Sequence, residues 1–134
     1  MLPLAAALVL ASACSGSDQP SPAGRTQTVR ERDFHIAAPA RLSAGEVTLT
    51  VDNEGPDAHE LIVVRADRAR LPLRSDGLTV DEEGLGNVIV GALEPGRPGS
   101  VRTLRLHLSP GRYVFLCNMA GHYLGGMHTT VVVS

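Results

Sequence analysis

One short stretch holds three side chains able to bind a soft metal ion. Cys117, His122 and Met127 lie in Cys117-Asn118-Met119-Ala120-Gly121-His122-Tyr123-Leu124-Gly125-Gly126-Met127. A fourth, His59, stands far upstream, after a turn. Thiolate and thioether are soft ligands, and imidazole suits copper. Two imidazoles and a thiolate in one plane, with a long axial thioether, make a blue-copper site of the kind that passes electrons. Three ligands on one loop converge only where the loop folds over the ion, and Gly121, Gly125 and Gly126 give the backbone that freedom. The fourth ligand comes from elsewhere, so one copper ion ties loop and scaffold together.

Each residue alone has a plainer role. His59 fits a surface turn and Met127 an ordinary core position; it is the four together, at these spacings, that point to copper. Met119 sits between Cys117 and His122, poorly placed for an axial ligand, and reads as packing. His35, His107 and His128 read as surface or strand residues, with His128 notable for following Met127.

The elements that must position these groups read as strands. Val47, Leu49 and Val51 alternate through Glu46 to Val51, the pattern of a half-buried strand. Asp52 to Asp57 is turn material, and Ala58 to Val64 is the next strand. Asn87 to Ala92 is a third. Val101 to Leu108 alternates again, with Leu104, Leu106 and Leu108 inward. After the turn Ser109-Pro110-Gly111, Arg112 to Cys117 places Tyr113, Phe115 and Cys117 on one face. Thr129 to Val133 closes the set, and Val29 to Ile36 reads as an edge strand. Short strands between Gly/Pro turns describe an all-β sandwich or barrel. Ala66 to Gly86, with Arg68, Arg70 and the acidic triplet Asp81-Glu82-Glu83, reads as an excursion with at most one helical turn and a solvated acidic loop.

From Val29 to Val133 the chain resembles the cupredoxins. The resemblance rests on Asn53-Glu54-Gly55 followed by His59-Glu60, on Pro110-Gly111-Arg112-Tyr113-Val114-Phe115-Leu116-Cys117, and on the Cys-x4-His-x4-Met loop. The loop spacing is more like rusticyanin, sulfocyanin and auracyanin than plastocyanin. The resemblance implies an antiparallel Greek-key β-sandwich of about seven to eight strands, with copper near one end. It implies that His59, Cys117, His122 and Met127 take the ligand roles. It also implies a brace between the residues that follow the first His and the Cys, here Glu60 and Asn118, as an amide-to-carboxylate hydrogen bond. A redox partner would dock near His122, the exposed ligand of such sites.

The N-terminus reads as an address. Leu2 to Ala11 is apolar but too short to span a bilayer, as a signal peptide would be. Ala11-Ser12-Ala13-Cys14 resembles a bacterial lipoprotein cleavage box, which implies lipid on Cys14. The expected organisation is a signal peptide over residues 1–13, a lipid-anchored flexible tether over 14–27 and a domain over 28–134, held outside the cytoplasmic membrane, in the periplasm or at the outer surface.

Composition narrows the function. The 134 residues carry 12 basic and 14 acidic side chains, a net charge of -2, which argues against a nucleic-acid binder. An enzyme of the copper oxidase kind needs further ligands and further domains, and a two-copper centre needs two cysteines in the loop, where only Cys117 stands. The reading is a monomeric electron carrier and not an enzyme. The alternative is a protein for copper delivery or homeostasis, disfavoured because the tether lacks Met- and His-rich segments.

Overall fold

The structure, a computed structural model, describes residues 25–67 and 70–134. The apolar leader, Cys14 and Arg68 lie outside the described residues. Nine strands follow in order among the described residues: β1 (Arg25–Arg32), β2 (His35–Ala37), β3 (Arg41–Leu42), β4 (Gly45–Asn53), β5 (His59–Arg65), β6 (Ile89–Gly96), β7 (Val101–Leu108), β8 (Gly111–Leu116) and β9 (His128–Val133).

Alternation builds the first sheet, ordered β2-β1-β4-β7. In β4 every second residue, Val47, Leu49, Val51 and Asn53, is buried. β7 adds Leu106 and Leu108, β1 adds Val29, and β2 adds Ile36. The second sheet, ordered β3-β9-β8-β5-β6, supplies Leu61, Val63, Tyr113, Phe115, Val131 and Val133 to the same core. Two sheets closed over one apolar layer make a sandwich, the cupredoxin-like architecture expected.

The sheets are mixed, not purely antiparallel. β1 runs parallel to β4, and β3 parallel to β9. The chain leaves the first sheet at β3 and returns at β4, and strands joined by such a crossover can run the same way. β1 also begins at Arg25, inside the segment read as tether. Arg25, Thr26 and Gln27 pair with Val47, Thr48 and Leu49. Their side chains are largely exposed, so this pairing rests on the backbone ladder and leaves no hydrophobic trace. The expected edge strand splits likewise, because Asp33 and Phe34 turn the chain between β1 and β2.

The excursion is more ordered than its composition suggests. β5 and β8 are buried on both faces, which the one-face reading of Tyr113, Phe115 and Cys117 misses. Ile62, Val64, Val114 and Leu116 form a second cluster with Leu71 and Val80 of the excursion and Tyr123 of the ligand loop. The acidic triplet is a helix start: Asp81 caps the short α1 (Glu82–Leu85), its carboxylate accepting the Gly84 N–H at 3.1 Å. A single 3-10 turn (Gly86–Val88) then leads into β6.

Candidate metal centre

The turn before β5 decides where His59 goes. Asn53 is buried at the end of β4 and braces that turn from within. Its Nδ2 donates to the carbonyls of Asp57 (3.0 Å) and Gly96 (2.8 Å), and its Oδ1 accepts the Gly55 N–H at 2.7 Å. His59 then opens β5, fully buried.

The loop after β8 folds back on itself through its backbone. Cys117 N–H donates to Met127 O (3.1 Å), Met127 N–H to His122 O (2.9 Å) and His122 N–H to Met119 O (2.9 Å). Gly121 and Gly126 take φ of 81° and 102°, the left-handed region that glycine adopts at little cost. The strand before the loop is fixed on both faces, so the loop starts from a rigid base.

These elements bring His59, Cys117 and His122 together, with one ligand atom from each lying within 4.8 Å of the others. Cys117 Sγ is 4.0 Å from His59 Nδ1 and 3.6 Å from His122 Nδ1. Donors about 2.1 Å from a shared centre and 120° apart stand about 3.6 Å from one another, so the spacing suits one ion in a trigonal plane. Met127 is fully buried in the same core cluster as Cys117, and Met119 is only partly buried at its margin. His107 lies away from the cluster, its Nδ1 2.7 Å from Glu46 Oε1, and His128 packs its ring on Tyr123 at 4.9 Å. His35 is exposed on β2.

Burial sets the electrostatics. It pushes the Cys117 thiol up to about 11, so the residue is a thiol until a metal displaces its proton. It holds His59 below the usual histidine range, against the opposing pull of Asp33, and leaves the imidazole neutral. Glu60 is raised, first by burial and then by the charge on Glu82.

Glu60 and Asn118 meet, though not as expected. Glu60 Oε1 accepts the backbone N–H of Asn118 at 3.1 Å. The Asn118 side chain turns instead to the excursion. Its Oδ1 accepts the Val80 N–H at 2.6 Å, and its Nδ2 donates to Val80 O (3.1 Å) and Glu82 Oε1 (2.7 Å). The amide therefore ties loop to excursion, and the backbone ties loop to β5.

Sequence reasoning passed over Asp33 and Phe34. Asp33 Oδ1 lies 3.0 Å from His59 Nε2, and the Phe34 ring lies 5.4 Å from that of His122. An aspartate in a turn is a common signal, and nothing in its spacing pointed to His59.

No family model matches the chain, and no curated protein is similar to it in sequence. Solved structures are. A dithionite-reduced auracyanin from the photosynthetic bacterium Roseiflexus castenholzii matches with a TM-score of 0.62 at 22% identity, over 83% of this chain and 98% of its own. An azurin from the methylotroph Methylomonas sp. strain J matches with a TM-score of 0.60 at 17% identity, over 84% of this chain and 99% of its own. Rusticyanin from Thiobacillus ferrooxidans matches with a TM-score of 0.60 at 15% identity, over 84% of this chain and 79% of its own. The chain therefore has the cupredoxin fold. Its two histidines and buried cysteine, with a methionine in the same core, fit one type 1 copper ion.

Proposed function

We propose that the protein is a one-electron carrier in which His59, Cys117, His122 and Met127 would hold a single copper ion. The observation that carries this reading is the convergence of a thiol and two imidazole Nδ1 atoms at one end of a rigid sandwich. Copper would supply the change between Cu(I) and Cu(II). The protein supplies a cage that does not rearrange. Cys117, His59 and Met127 are fully buried, which keeps water from the donors. The loop's backbone bonds hold their positions.

His122 is the way in. Its side chain is 12% exposed, and the loop that carries it is flanked by exposed apolar residues. Phe34 packs on the His122 ring, Leu124 follows on the loop, and Leu78 accepts the Gly121 N–H through its carbonyl. These three are about half exposed. A small apolar rim suits the brief encounters of redox partners. Among the described residues one cluster of metal-ligating side chains is found, which supports a carrier over an enzyme.

The lipid on Cys14 and the position outside the cytoplasmic membrane belong to the same proposal and rest on the leader and cleavage box. Mass spectrometry of the mature N-terminus should find a diacylglycerol-modified Cys14, and an unmodified Cys14 on a secreted product contradicts the anchor. Repeated cycling between oxidant and reductant in the presence of a Cu(I) chelator tests the carrier. Retention of copper through many cycles supports it. Handover of copper to the chelator or to an apo-acceptor supports delivery instead.

A further inference from the structure

The turn between β1 and β2 is built with unusual care for two residues. Phe34 takes φ of 59°, a left-handed conformation costly for a residue with a Cβ, and among the described residues no other non-glycine does so. Its ring is held between His122, at 5.4 Å, and Gly125, where any Cβ would run into it. The neighbouring Asp33 is pinned as well. Its N–H donates to Gly55 O at 3.4 Å, and its Oδ1 accepts the Asp57 N–H at 3.2 Å. The carboxylate is thus placed by contacts that owe nothing to the metal.

That same Oδ1 lies 3.0 Å from His59 Nε2. At that distance the Asp33 carboxylate acts on the imidazole first through its charge. His59 is fully buried, and Nε2 has no hydrogen-bond partner among the described residues. His122 differs: its Nε2 is 3.9 Å from Asp57, whose carboxylate is mostly exposed, and its own ring reaches solvent. A neutral imidazole carries one proton, on either nitrogen, and a carboxylate beside one nitrogen draws the proton there.

We propose that Asp33 is the positioning residue for His59: its carboxylate keeps the proton on Nε2, leaves the Nδ1 lone pair facing Cys117, and sets a negative charge one imidazole away from the donor cluster. The inference rests on the copper reading for its effect on potential, but not for its effect on the tautomer. A negative charge at that distance favours the more oxidised ion, so Asp33 lowers the reduction potential. It also makes His59 the better donor.

The test uses Asp33→Asn and Asp33→Ala in the full domain, with Asp57→Asn as control. Two-bond 1H–15N correlation spectra of the metal-free protein read the His59 tautomer without copper. The wild type and Asp57→Asn should show the Nε2–H form alone, and Asp33→Ala a mixture. Asp33→Asn keeps an oxygen beside Nε2 but no charge, so the copper-loaded variant should have a raised reduction potential. Copper affinity should fall about 10- to 100-fold in Asp33→Ala, the usual scale for loss of such a partner. A pure Nε2–H form in Asp33→Ala, or an unchanged potential in Asp33→Asn, overturns the proposal. Should Asp33→Ala not fold, Asp33→Asn alone decides it. A wild type that shows the Nε2–H form but takes up no copper overturns the copper reading and leaves the role of Asp33 in the tautomer standing.

Discussion

Two thioethers on one loop have different surroundings, and that difference favours Met127 over Met119 for the ligand role proposed above. Met127 is fully buried with Cys117, and its backbone is tied to both Cys117 and His122. Met119 packs at the core margin. Met127→Leu should therefore leave copper bound while altering the visible spectrum and raising the potential, because the axial ligand tunes both. Met119→Leu should change neither, and a Met119 variant that shifts the spectrum would reassign the axial position. Glu31 offers a second residue-scale test. It is fully buried against Arg102, at 2.6 Å, and its Oε1 has no hydrogen-bond partner among the described residues. Burial, outweighing Arg102, raises its carboxyl from 4.5 to about 7. Below pH 4.5 folded and unfolded chains both hold the proton. Between 4.5 and 7 the folded chain keeps a proton that the unfolded chain has shed, so stability falls as pH rises, by on the order of 3 kcal/mol. Urea unfolding of the metal-free protein at several pH values should show this fall, flattened in Glu31→Gln. An equal slope in the variant would place the effect elsewhere.

At the scale of elements, the excursion between β5 and β6 is a cover for the second sheet and an anchor for the ligand loop. Asn118 links the two, and replacing it leaves the buried Val80 N–H without its acceptor. Asn118→Ala should lower stability of the metal-free protein by about 2–3 kcal/mol, measured by denaturant unfolding, while a loss under about 0.5 kcal/mol would mean that the excursion stands without this link. The legibility of the fold divides along the same line. Strands β4 and β7 alternate between one buried and one solvated face, and the sequence shows them with near-correct ends. The convergence of His59, Cys117 and His122 was legible because soft donors at fixed spacing have few other uses. The excursion was not, since Leu71 and Val80 are lone apolar residues among polar ones and their burial depends on a sheet face formed elsewhere. Asp33 was hidden for a related reason. It reaches His59 only because β1 ends and β5 begins at the same pole, a fact of topology that no local pattern carries.

For the whole molecule, direction is the main consequence. β1 enters at Arg25, which lines one cavity with Arg41, Ser43 and the C-terminal Ser134, and it runs from there to the Asp33 turn beside the donor cluster. The His122 rim therefore lies at the Asp33 end of β1, away from Arg25. The net charge of -2 gives little long-range steering. Electron exchange with a small charged reagent should accordingly change by less than about tenfold between about 0.01 M and 0.15 M salt in stopped-flow measurements, and a steeper dependence would reveal a local field at the rim. On the proposed function, Cys117 binds copper as a thiolate together with His59 and His122. The visible absorption spectrum of the copper-loaded protein is the decisive measurement. An intense thiolate-to-copper band should appear, bleach on reduction, return on oxidation and be absent in Cys117→Ser. A colourless protein that takes up only Cu(I), or a band that survives in Cys117→Ser, would contradict it.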